Sequence, residues 1–175
     1  LGDGHISTGR NGVHRLTISC ADDYPNILRA CADAMAEVMP QSNVGFAQKA
    51  GCVAVNSYSR HWVCLFPQHG AGKKHERAIV LRPWQEAIVA AHPAPLVRGL
   101  IQSDGCRVVN RVHRRGRTYV YPRYFFSNTS ADVMGIFTDG CDRMGVAWRM
   151  NGPRSVSVAQ ARSVATLDAA VGPKT

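Results

Sequence analysis

Acid is scarce in this chain. Twelve Asp and Glu stand against 21 Lys and Arg in 175 residues, a formal net charge of +9. That imbalance argues against a strongly basic partner and favours a polyanion, with nucleic acid ahead of acidic membrane. Long apolar runs are absent too. None approaches the roughly 18 residues of a spanning helix, so no membrane protein is expected, and no signal or transit segment is visible. The six cysteines include no C-x-x-C pair, which leaves free thiols in a reducing cytosol as the plain reading. One looser set, His61, Cys64, His69 and His75, has ligand chemistry suited to zinc but matches no familiar zinc-module spacing. An initiating Met is also missing. Leu1 reads as the last turn of a helix, which points to further residues upstream.

What is present suffices for one globular unit, or two small fused halves: 45% of the residues are hydrophobic and 7% aromatic. The chain repeats itself. Leu1–Gly4 ends in Asp3-Gly4, and 101 residues later Val97–Gly105 ends in Asp104-Gly105. Each ending leads into strand-like alternation. His5–Cys20 reads as a hairpin turning at Asn11-Gly12, with Ile6, Leu16 and Ile18 inward and His5, Ser7, Arg15, Thr17 and Ser19 outward. A helix follows, capped by Asp22 or Asp23 with Pro25 in its first turn, its apolar stripe running Ile27, Leu28, Cys31, Ala34, Met35, Val38, Met39 until Pro40 stops it. Strands over 43–48 and 52–58 and a short helix near Arg60-His61-Trp62 complete the first half.

The second half repeats the order. It has a helix over 94–104, strands over 106–114 and 117–128 around Arg115-Gly116, a helix capped by Ser130, a strand pair turning at Asn151-Gly152-Pro153, and a closing helix over 159–171. The expected organisation is therefore residues 1–67, a basic insertion or linker over 68–92, and residues 93–175. The insertion's Gly70-Ala71-Gly72-Lys73-Lys74 lacks the G-x4-G-K-[S/T] pattern of a phosphate loop. Two acids, one per half, are suited to holding divalent ions against a phosphate backbone.

Val97-Arg98-Gly99-Leu100-Ile101-Gln102-Ser103-Asp104-Gly105 resembles the LAGLIDADG signature of homing endonucleases, with Gly99, Leu100, Ile101, Asp104 and Gly105 in matching places. Leu1–Gly4 looks like the tail of a first copy, and the chain resembles the bacterial, actinobacterial-type single-chain members with two motifs. The resemblance implies an α+β fold. Pseudo-two-fold duplicated α-β-β-α-β-β-α halves would form a DNA-binding saddle of two antiparallel sheets, in a monomer acting in the bacterial cytoplasm at the nucleoid. It implies Mg²⁺, or another divalent cation such as Mn²⁺ or Ca²⁺, held at Asp3 and Asp104 with Gly2 and Ser103 beside them. The flanking catalytic groups would be Arg162 in the second half and His61, with Arg60 next to it, in the first. Gly99 and Ser103, four apart, are expected to admit a close partner helix.

Arg107, Arg111, Arg114, Arg115, Arg117 and Arg123 form a basic run with His113, and no acid falls between Gly105 and Asp132. Together with Arg15, Thr17, Lys49, Arg60, Tyr119, Arg149 and Arg154 these are the expected contacts to double-stranded DNA, and Lys73, Lys74 and Arg77 the expected phosphate contacts. Two functions follow: a site-specific double-strand endonuclease, or a sequence-specific DNA-binding regulator on the same fold that does not cut.

Overall fold

The computed structural model describes residues 2–172 and 174. The helical turn expected at Leu1 lies outside them, and Gly2 has no regular secondary structure. The chain divides into two compact units, residues 3–71 with Lys174, and residues from Gly72 onward with Gly2.

The first unit contains β1 (Gly4–Thr8), β2 (His14–Ala21), α1 (Pro25–Val38), β3 (Val44–Lys49), β4 (Cys52–Ser59) and α2 (Trp62–Leu65). Its antiparallel sheet has the order β1-β2-β4-β3. The core is Ile6, Leu16, Met35, Val55 and Trp62, with Leu28, Cys31, Ala32 and Met39 packed against it. The Trp62 indole N–H donates to the Ser57 carbonyl at 3.1 Å, which allows so large a ring to be buried. Three expectations change here. The hairpin connection is not a two-residue turn: Thr8 pairs with His14, and a 3-10 turn spans Arg10–Gly12. Asn11 and Gly12 still supply the positive φ, at 58° and 70°. Neither acid caps α1, which starts at Pro25 with Tyr24 at the N-cap and no side-chain cap bond. The apolar stripe of α1 is narrower than its sequence, because Ala34 and Val38 face solvent.

The second unit contains α3 (Pro83–Ala91), α4 (Pro93–Asp104), β5 (Gly105–Arg114), β6 (Arg117–Ser127), α5 (Ala131–Arg143), β7 (Arg149–Gly152), β8 (Ser155–Val158) and α6 (Ala161–Val171). The sheet order β5-β6-β8-β7 reproduces that of the first unit strand for strand. Ser130 caps α5 as expected, its hydroxyl accepting from Val133 N. Phe126 of β6 stacks on Phe137 of α5 with centroids 4.1 Å apart, and Val97, Leu100, Ile101, Val158 and Leu167 are buried in the same unit. The repeats differ in their last helix, since α2 is a single turn where α6 runs 11 residues. Helix α3, unforeseen within the 68–92 segment, packs against α4 and α5. Ile79 N donates to the Asp132 carboxylate at 2.7 Å, fastening that segment to the start of α5.

Gly105 sits where α4 turns into β5. A Cβ there would lie 2.8 Å from Ile101 Cα, 2.9 Å from Ile101 O and 3.0 Å from Phe125 O. All three are backbone atoms, so nothing nearby can rotate away. A Cβ on Gly99 would meet nothing within 4 Å among the described residues. Gly2 instead groups with the second unit, and a Cβ on it would collide with the Ser103 side chain. Gly105→Ala is expected to destabilise the 175-residue chain by about 1–3 kcal/mol in urea unfolding. Gly99→Ala, in an exposed helix interior, should be neutral or stabilising by up to about 1 kcal/mol.

Candidate nucleic-acid interface and carboxylate site

Residues directly opposite one another in an antiparallel pair project to the same face, and the face alternates along each strand. In the second unit the buried Tyr124 and Phe126 mark the face covered by helices. Counting from them through the β5–β6 and β6–β8 registers, the other face carries Asn110 with Tyr121, Val108 with Arg123, Val112 with Tyr119 and Arg114 with Arg117. Ser157 and Arg149 continue it past Phe125. Arg123 is the organised member. Its guanidinium lies 5.7 Å from the Tyr121 ring centroid and 5.4 Å from that of Phe125, while its buried Nε has no hydrogen-bond partner. Two aromatic rings hold it as a planar fork, the shape that recognises guanine or phosphate.

In the first unit the buried Ile6 and Leu16 mark the helix-covered face. The open face then carries His5 with Thr17 and Ser7 with Arg15. Tyr58 opposite Arg15, Asn56 opposite Thr17, and Lys49 at the far edge extend it. Arg15 and Lys49 thus fall where expected. Thr17 has the expected direction but is only 9% exposed, and its hydroxyl donates to Asn56 Oδ1 at 2.7 Å. The Asn56 amide in turn donates to the Ala54 carbonyl at 2.9 Å. Tyr58 and Asn56 were not among the expected contacts, although the strict alternation of 52–58 could have shown them.

Asp104 ends α4, and its Oδ2 accepts a hydrogen bond from the Asn128 side-chain amide at 3.0 Å. Asn128 is itself fixed three ways. Its Oδ1 accepts from Ser130 N at 2.8 Å, its backbone N–H donates to Arg154 O at 3.2 Å, and it directly follows β6. The carboxylate is therefore oriented by a side chain that also joins the α5 cap and the β7–β8 turn. Ser103 Oγ, one residue earlier, is buried without a partner. Asn128 escaped the sequence reading because nothing local ties it to a residue 24 positions upstream.

This architecture matches solved structures over nearly the whole chain. A mesophilic variant of the homing endonuclease I-DmoI aligns with a TM-score of 0.60 at 13% identity, covering 97% of this chain and 83% of that one. I-AabMI, a LAGLIDADG meganuclease bound to uncleaved DNA, gives 0.55 at 11% identity over 96% and 78%. The LAGLIDADG homing endonuclease I-GzeII in complex with its DNA target gives 0.54 at 7% over 99% and 80%. The fold is that of the LAGLIDADG homing endonucleases. No protein-family model matches the sequence, and no curated protein does.

Within this LAGLIDADG fold the remaining expected residues disperse. Arg107 is not available as an unpaired cation. It faces α6, where its Nε and Nη2 donate to the two Asp168 carboxylate oxygens at 2.7 and 3.0 Å, and the Tyr124 hydroxyl donates to the same group at 2.6 Å. Arg111 and His113 share that face by register, being opposite Val120 and Thr118. His113 is in hydrogen-bond contact with the Thr118 hydroxyl at 3.1 Å. Arg115 occupies the turn with φ 50°. Arg162 is exposed in the first turn of α6, Arg154 is exposed before β8, and Arg60 and the N-cap residue His61 are exposed ahead of α2. Lys73 pairs with Glu76 at 3.4 Å, and the Lys74 ammonium donates to the Gly2 carbonyl, so that oxygen is already engaged.

Among the described residues no group of three His, Cys, Asp or Glu is placed to hold a metal, and His61, Cys64, His69 and His75 do not assemble into a zinc site. His69 lies edge-on to His14, with centroids 6.4 Å apart. No helix among the described residues is long and apolar enough to cross a membrane. The cysteines are free. Burial pushes the Cys141 thiol up to about 12. Cys20 and Cys31 differ from it, with sulfurs 3.9 Å apart. Their mutual hydrogen bond lowers the Cys31 thiol and raises that of Cys20.

The hydrogen bond from Arg107, ahead of that from Tyr124, holds the Asp168 carboxyl below its ordinary range. A carboxyl depressed in the folded state stabilises above its unfolded pKa, and that contribution is lost as pH falls through the folded value. Melting temperature measured against pH should therefore hold from neutral into mild acid and drop below the ordinary carboxylate range. Asp168→Asn should flatten that acid limb, while Tyr124→Phe should cost about 1 kcal/mol at neutral pH.

Proposed function

We propose that the chain is a site-specific double-strand DNA endonuclease of the homing type, working as a monomer whose two repeats each supply one carboxylate, Asp3 and Asp104. The observation that carries the reading is Asp104, oriented by Asn128 at the end of α4 in a unit whose open sheet face bears Arg114, Arg117, Arg123 and Arg149. Similar folds have been seen on DNA, I-SmaMI among them, bound to uncleaved target in the presence of calcium ions. Arg123, Arg117, Tyr119 and Arg149, with Arg15 and Lys49 from the first repeat, meet base edges and phosphates. Arg107, Arg111 and His113 do not read bases, and Thr17 contributes through its contact with Asn56. The open sheet face of each repeat is the surface that meets duplex DNA.

The donor set suits a hard divalent cation. Asp104 keeps Oδ1 clear of the Asn128 bond, and the last carbonyls of α4 point the same way as the helix dipole's negative end. When bound, Mg²⁺, or Mn²⁺ or Ca²⁺ in its place, supplies charge neutralisation at the scissile phosphate and a more acidic water. The chain's own residues do the rest. Asn128 fixes the carboxylate, Ser103 closes the back of the site, Arg162 balances phosphate charge, and His61 takes or gives a proton, which an arginine cannot do near neutral pH. Lys73 and Lys74 lie in the segment between the repeats and add positive charge there. Such a protein works wherever DNA is, in bacteria at the nucleoid.

Selection of bound duplexes from a random library should yield a target whose supercoiled plasmid is linearised with Mg²⁺. Asp104→Asn should abolish cutting while retaining affinity. Tight binding with no cutting by the unaltered protein would instead make the chain a DNA-binding regulator on this fold. Arg123→Ala should cost about 1–3 kcal/mol of binding and relax one base pair. Arg117→Ala should lower the log–log salt slope by about 0.9 if it contacts phosphate, whereas Arg107→Ala should leave it unchanged.

A further inference from the structure

We propose that Cys20 and Cys31 form a dithiol modification site beside Asp3, which hydroperoxides oxidise to an intramolecular disulfide tying α1 to β2. The two sulfurs, 3.9 Å apart, come from different elements, β2 and α1. Rotation about the side-chain torsions can close that gap to the roughly 2.05 Å of a disulfide. Cys31 is half-buried and within reach of a small oxidant, whereas Cys20 is 9% exposed and faces the helix. No other cysteine is so placed. Cys52 is opposite Ala21, and alternation puts it on the open face of the sheet, away from Cys20. Cys141 is fully buried in the other unit.

Strand register locates the pair functionally. The glycine after each acid opens a strand: Gly4 pairs with Ile18, and Gly105 pairs with Phe126. Two residues further on stand Cys20, still in β2, and Asn128, the first residue past β6. Asn128 is the residue that donates to Asp104, so Cys20 holds the equivalent position in the first repeat. Both thiols feel the negative charge of Asp3. A thiol is a weak donor where the other repeat has an amide, and a disulfide is no donor at all.

The chemistry balances. The Cys31 sulfur attacks a peroxide oxygen, the O–O bond breaks, and sulfenic acid forms with release of water, or of an alcohol from an organic peroxide. The Cys20 sulfur then displaces hydroxide from the Cys31 sulfur, and that hydroxide leaves as water with the Cys20 proton. Two thiols are oxidised and one peroxide is reduced.

The disulfide stands on this geometry alone; its coupling to cleavage rests on the endonuclease reading. The test uses the full chain, reduced and then treated with stoichiometric hydrogen peroxide. Non-reducing peptide mapping should show a Cys20–Cys31 linked peptide and the loss of two of the six free thiols. The link should be absent in C20S and C31S and present in C52S and C64S. Where a serine variant fails to fold, C20A or C31A serves in its place. On a supercoiled target plasmid, the reduced protein should give linear product, the oxidised protein nicked circles from the Asp104 repeat, and a dithiol reductant should restore linear product. No linked peptide, or a link to another cysteine, overturns the site. A linked peptide with unchanged linear product overturns the coupling to Asp3. If the reduced protein cuts nothing, the endonuclease reading fails, and the peptide map alone decides the dithiol site.

Discussion

The contact between Gly105 and the backbone of Ile101 and Phe125 is the constraint on which the second unit turns. It lets β5 start immediately after α4, with no connecting residue, so Asp104 is held at the junction of helix and sheet. It also starts the β5–β6 register at Gly105 opposite Phe126. Since side chains alternate, that one pairing decides the face of every residue out to Arg114 and Arg117. A single-residue slip would exchange the basic, aromatic face for the helix-covered one.

Charge is then partitioned between faces by what opposes it. On the helix side, Asp168 comes in from α6 and neutralises Arg107, with Tyr124 completing the cluster. On the open side, Arg114, Arg117 and Arg123 are opposite Arg, Arg and Val, with aromatic rings beside Arg123 and no acid in either strand. Cations held without carboxylate partners retain their full attraction for a polyanion, and rings that fix a guanidinium reduce the entropy lost on binding. The same separation keeps Asp104 distinct. Its hydrogen-bond partner is a neutral amide rather than a cation.

Much of this is legible in the sequence alone. The nine residues Val97–Gly105 carry a helix that ends in an acid, and the alternation around Arg115-Gly116 carries a hairpin. The doubled order of elements carries two similar sheets. What was not legible depends on long-range pairing. Arg107 looks like a free cation until Asp168, 61 residues later, is brought against it. Arg111 and His113 alternate correctly with each other, but their face depends on which end of the strand is counted from, and only buried Tyr124 settles that. Helix α3 was hidden because its Trp84 and Ile88, 45% and 54% exposed, form no core-facing stripe of the usual kind. Asn128 and the Cys20–Cys31 pair share the same obscurity: each is ordinary in sequence and acquires meaning from a neighbour across elements.

The claim at the centre of this account is that the open sheet faces, rather than the helix sides, are the nucleic-acid surface. Ultraviolet cross-linking of the protein to a selected duplex substituted with bromodeoxyuridine, mapped by mass spectrometry, tests it most directly. Adducts are expected on Tyr119, Tyr121 and Phe125 of β6 and on Tyr58 of β4. Adducts confined to Trp84 and the exposed side of α3, with none on those strands, would contradict it.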